Sequence, residues 1–276
     1  MINHGFILSE IVENDHYMLG GYGSLGGTPL NPSRDWRNVV PSINEVQNLN
    51  GIEPQACTTF GTLNAVETLY KFIYGKEINY SDRWLAKKSG TIPTAGNNCH
   101  VVAETLRKKG DVIESEWPFD STIKTPALFY AEPPTKLDIE ALIFDEEFDF
   151  GHEWVPTTAK SLYDALQLSP LGFSVFAWVQ DENGLYYKPQ GQSDCHWVCL
   201  VYAEWEKYWL VLDSYMDNGE LYKKVRWDAL PQQAKRYTLS RQVVNETAWT
   251  KFLNLIKSIL TSTYGKISDL ALGWTK

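Results

Sequence analysis

Apolar residues recur at steps of three and four between residues 58 and 74, where Phe60, Leu63, Val66, Tyr70 and Ile73 form one stripe and Gly75 follows. The spacing predicts an amphipathic helix over 58–74, stopped by the glycine. A similar pattern predicts a second helix over 98–109, closed by Gly110, and a third over 158–168 before a Ser-Pro break. Residues 125–157 are spaced by prolines and rich in aromatics, which predicts short strands at best. The period then changes. GFSVFAWV (172–179), HWVCLVYA (196–203), KYWLVLDSY (207–215) and ELYKKVRW (220–227) are short runs of β-branched and aromatic residues separated by turn signals. A helical first half and an antiparallel, strand-rich second half predict an α+β protein of two packed subdomains.

Both ends differ from this body. Residues 1–34 read as an arm, Gly- and Pro-rich over LGGYGSLGGTPLNPSR, and too short and polar to build a core of its own. The expectation is that this arm packs along the body rather than through any cleft, with Phe6, Ile7 and Leu8 as its anchor. Residues 35–243 form the main domain. Over 244–276 a last helix is predicted, with Trp249, Phe252, Leu253, Ile256 and Leu260 on one stripe. The ordinary reading is that it packs on its own core, and a protein partner is the alternative.

A net charge of −9 without a basic cluster excludes the usual nucleic-acid binders. No run approaches the roughly 20 apolar residues of a membrane span, and the N-terminus has no secretory leader pattern. The four cysteines, Cys57, Cys99, Cys195 and Cys199, contain no C-x-x-C pair. No metal site and no cofactor is expected, and Cys195 with Cys199 reads as a buried thiol pair. A reducing location, cytoplasmic or virion-associated, is the simpler expectation.

Cys57 stands at the predicted start of the long helix, where the positive end of the helix dipole favours a thiolate. A lone cysteine there is ordinarily a small buried residue. His196 opens one apolar run and Asp213 closes the next, joined by the polar turn at 204–207. An antiparallel hairpin makes the two neighbours, so a carboxylate would orient an imidazole. Cys-His-Asp is a nucleophile, a general base and an orienting group.

The stretches DWRNVVPSINEVQN…QACTTFGTLNAVE, GNNCHVVAETLRKKGDVIESEWPF, SPLGFSVFAWV and DCHWVCLVYAEWEKYWLVLDSY resemble, in order, the landmarks of the papain-like cysteine peptidases. His196 lies in the ~130–150-residue interval expected downstream of such a cysteine. The resemblance covers about residues 35–243. It implies a two-subdomain fold with a cleft, and a peptidase acting on a peptide or protein substrate through Cys57, His196 and Asp213. It also implies a glutamine donor for the oxyanion, and Gln47 fills that role only after a shift in register, because NLNGIEPQA reads as an insertion. Otherwise Gln47 is a solvated loop residue. The chain departs from the family in lacking its disulfide cysteines and in having Asp213 for the usual Asn and Tyr215 for a shielding Trp, which suggests a prokaryotic or phage-type member without a pro-domain. Trp197 and Cys195 are expected to line the cleft. Cys99, His100, His152, His4 and His16 read as structural, with His152 in a loop and partnerless. The alternatives are a catalytically silent papain-fold binding or virion structural protein, and a transglutaminase-type acyltransferase.

Overall fold

The computed structural model describes residues 5–12, 15–16, 30–43, 45–217 and 219–241. The expected helix over 244–276 lies outside them. Helix α1 (Cys57–Tyr74) ends where Gly75 turns to φ 66° and its N–H reaches the Lys71 carbonyl at 2.9 Å. Every residue from Cys57 to Leu69 is buried, so α1 is a central helix rather than a surface one. Helix α2 (Asp82–Lys88) is capped by Ser81. Helix α3 (Cys99–Lys109) starts at Asn98, whose side-chain oxygen accepts from the Val101 N–H at 2.8 Å.

The proline-spaced stretch is not a set of short strands. It forms α4 (Pro126–Phe129), α5 (Thr135–Glu147) and strand β1 (Phe148–Trp154). Pro126 and Pro134 sit at helix starts, where a missing N–H costs nothing, so the prolines begin helices instead of breaking them. Leu137, Ala141 and Phe144 then give α5 its buried face. Helix α6 (Ala159–Ala165), capped by Thr158, is shorter than predicted.

The remaining strands are β2 (Leu171–Val175), β3 (His196–Glu204), β4 (Tyr208–Asp217), β5 (Glu220–Arg226) and β6 (Ala234–Arg241). With β1 they form one antiparallel sheet in the order β1-β6-β2-β3-β4-β5. Strand β6 has no apolar run because Lys235 and Arg236 are buried, and Arg236 pairs with the equally buried Glu153 of β1 at 2.5 Å. β3 and β4 form the expected hairpin, with Cys199 opposite Leu212 and Leu200 opposite Val211.

One apolar core joins α1, α3 and α5 to the sheet. Trp197 fills the seam between α1 and β2. A Cβ on Gly172 would lie 2.3 Å from its ring and 2.6 Å from the Tyr237 hydroxyl, so no larger residue fits. Gly172→Ala is therefore expected to destabilise by about 1–3 kcal/mol through overpacking. Thermal denaturation checks this, and an unchanged midpoint would show that the seam has room. Among the described residues no helix is long and apolar enough to cross a membrane.

Candidate active site

Cys57 is the first residue of α1, and its side chain is fully buried. His196 opens β3 and Asp213 lies on β4, so the hairpin places imidazole and carboxylate side by side. His196 Nε2 meets Asp213 Oδ1 at 2.5 Å. With Nε2 engaged, Nδ1 is the ring nitrogen that can serve a thiol. The backbone N–H of Trp197, the next residue, bonds to the Cys57 sulfur and brings the two halves of the site together.

The carboxylate is held from all sides. Oδ1 also accepts from the Ser214 N–H at 2.7 Å, while Oδ2 accepts from Trp178 Nε1 at 3.1 Å and from Lys223 Nζ at 2.6 Å. Burial pushes the Asp213 carboxyl up, but His196 and Lys223 outweigh it and hold it below the usual range. The ring of Trp178 stands edge-on to His196 at 5.7 Å, and that of Tyr215 lies at 5.4 Å, so two aromatics shield the imidazole. Neither Trp178 nor Lys223 was singled out in the sequence. A signal existed for the lysine: Lys223 and Lys224 are consecutive on a strand, so one of them must face inward.

Gln47 is not a solvated loop residue. It is fully buried, with its side-chain oxygen accepting from the Ala56 N–H at 3.1 Å and its Nε2 donating to Ser214 Oγ at 2.8 Å. The inserted residues leave as a loop with left-handed turns at Asn50 and Gln55, so Gln47 returns beside the peptide that precedes Cys57.

The arm does not pack away from the cleft. The Phe6 N–H reaches the carbonyl of Cys195, next to the histidine, at 3.4 Å. Asn97 brackets the same residue, donating to the Gly5 carbonyl and accepting from the Ile7 N–H, each at 2.9 Å. The Phe6 ring stacks on Trp197 at 5.3 Å and belongs to one buried cluster with Cys57. Gly5 and Gly96 meet so closely that a Cβ on Gly96 would lie 1.9 Å from the Gly5 oxygen. Ser9 is clasped by the Gln233 side chain at both its N–H (2.9 Å) and its carbonyl (2.7 Å). Phe6 thus packs over Cys57 and reaches the carbonyl of the residue before His196. Under this cover burial pushes the Cys57 thiol well up, and the negative charges of Asp213 and Glu53 push the same way.

Other expectations are refined. Trp197 lies buried beneath Phe6, Cys195 is partly exposed at the site's edge, and of the Cys195 and Cys199 pair only Cys199 is buried in the core. His152 lies on β1, not in a loop, and has partners: its Nε2 meets Glu104 at 2.9 Å and its Nδ1 meets Lys235 Nζ at 3.1 Å. Lys235 also lies 3.5 Å from the centre of the Trp154 ring. Among the described residues no three His, Cys, Asp or Glu side chains are grouped to hold a metal ion. His4 lies outside the described residues.

No protein-family model and no curated protein sequence matches the chain. Solved structures do. Xylellain, a cysteine protease from Xylella fastidiosa, superposes with a TM-score of 0.63 at 17% identity, covering 88% of this chain and 97% of that one. Digestive procathepsin L 3 of Tenebrio molitor larval midgut gives 0.58 at 17% identity, over 86% of this chain and 76% of that one. The bromelain protease of Ananas comosus, solved in complex with the E64 inhibitor, gives 0.55 at 19% identity, over 75% and 98%. With α1 packed on the antiparallel sheet and Cys57, His196 and Asp213 at their junction, the chain has the fold of the papain-like cysteine proteases.

Proposed function

We propose that the chain is a cysteine peptidase in which Cys57 is the nucleophile, His196 the general base and acid, and Asp213 the group that orients the histidine. The observation that supports this most is the His196 Nε2–Asp213 Oδ1 contact at 2.5 Å, by which a buried carboxylate fixes the orientation of the imidazole. In this reading Nδ1 takes the Cys57 proton, the thiolate attacks a peptide carbonyl, and His196 returns the proton to the leaving amine. Water, deprotonated by the same imidazole, then cleaves the thioester. Gln47 has a second Nε2 hydrogen beyond the one given to Ser214, and we assign it with the Cys57 N–H to the developing oxyanion. A peptide substrate would take the backbone groups of Asn97 and the Cys195 carbonyl that the arm now occupies.

The test is covalent labelling by E64, the inhibitor in the bromelain structure. Peptide mapping of the treated full chain should find the adduct at Cys57 and not at the buried Cys99 or Cys199. No adduct at Cys57, or an equal one at Cys99, would instead support a silent scaffold.

A further inference from the structure

A buried ion pair stands behind the candidate triad. Asp213 and Lys223 have 0% and 2% of their side chains exposed, and their charged atoms lie 2.6 Å apart. Lys223 is fixed by the Tyr215 carbonyl at 2.9 Å and sits 5.1 Å from the centre of the Trp178 ring, the same indole that donates to Asp213. The family resemblance leads one to expect a neutral asparagine here. An aspartate brings a full charge into a site where thiolate and imidazolium must already coexist. An uncompensated buried carboxylate is costly and pulls on every proton near it.

The geometry assigns Lys223 as a positioning residue of the proposed peptidase: its ammonium neutralises Asp213, so that an aspartate orients His196 without adding net negative charge beside the Cys57 thiolate. The inference rests on the peptidase reading. Four charges then alternate from Cys57 through His196 and Asp213 to Lys223, two of each sign. Among the described residues, the other titratable groups that act on this set include Tyr215 and Glu53, hydrogen-bonded to each other, Tyr130 from the turn after α4, and Cys195. None of them is a cation that could replace Lys223.

The consequence is a pattern of opposite shifts. Lys223→Met, close in shape, leaves Asp213 unbalanced. The thiolate then becomes harder to form and the imidazolium harder to lose, so both limbs of the pH–rate profile rise. Asp213→Asn leaves Lys223 unbalanced and lowers both. The double variant restores neutrality and returns them.

The measurement is the pH profile of Cys57 alkylation by iodoacetamide, followed by peptide mapping in the full chain. Opening of the arm is common to all four proteins and cancels in the comparison. We expect displacements of about one pH unit, upward for Lys223→Met and downward for Asp213→Asn, with the double variant near the parent. Asp213→Asn and the double variant keep the test decisive if Lys223→Met folds poorly. A reactive Cys57 whose profile stays in place in these variants, or a double variant whose displacement is the larger of the two, overturns the inference alone. A parent Cys57 no more reactive than the buried Cys199 overturns the peptidase reading and this inference with it.

Discussion

Replacing Cys57 by Ser is expected to leave the fold intact and to lower peptide hydrolysis at least about a thousandfold. The side chain is buried at the start of α1 and swaps sulfur for oxygen in the same cluster with Phe6 and Trp197, so thermal stability should hardly change. The chemistry changes far more, because a hydroxyl gives up its proton to an imidazole much less readily than a thiol does. Activity with a peptide library and the denaturation midpoint, measured on the same preparation, check both halves. Near-normal hydrolysis by Cys57→Ser would place the nucleophile elsewhere, with the partly exposed Cys195 as the first suspect.

The second large effect has the opposite sign. Removing residues 1–12, or changing Phe6 to Ala, is expected to accelerate labelling of Cys57 by E64. Phe6 is 4% exposed and stacks on Trp197, and a fully buried Phe side chain is worth about 1.5–3 kcal/mol. Losing most of that shifts the opening of the arm by roughly tenfold to a hundredfold. The labelling rate should rise by the same factor, while Cys99, beneath Ser9, should gain less. Unchanged labelling with a lowered denaturation midpoint would mean that the arm braces the body and does not gate the site.

The parts of the site that local pattern controls were legible. A cysteine before a helical period marks Cys57, and a turn between two apolar strands pairs His196 with Asp213. What stayed hidden depended on tertiary partners. Strand β6 escaped because Lys235 and Arg236, on opposite faces of the strand, are both buried, against His152 and Glu153 respectively, and period-two hydrophobicity cannot register buried charge. Helix α5 escaped because prolines that start helices look like prolines that stop them. Gln47 was ambiguous because sequence distance to Cys57 counts a loop that spatial distance does not. The arm was misjudged for a related reason. Its composition speaks only to whether it can fold alone, and not to Asn97 and Cys195, whose backbone groups seat it.

The clasp between the arm and Asn97 has a kinetic meaning, because its occupant is part of the same chain. A tethered segment faces its site at an effective concentration on the order of millimolar, however dilute the protein is. A free peptide copying residues 5–12 would need roughly that concentration to occupy the site as fully. Dilution therefore leaves the covered state untouched, and a competing peptide would displace the arm only by exceeding this local supply. Cutting the chain between the clasp and Asp35 changes the order of the reaction: the segment can leave, and its return becomes bimolecular. One cleavage would turn a permanent neighbour into a ligand that dilution removes.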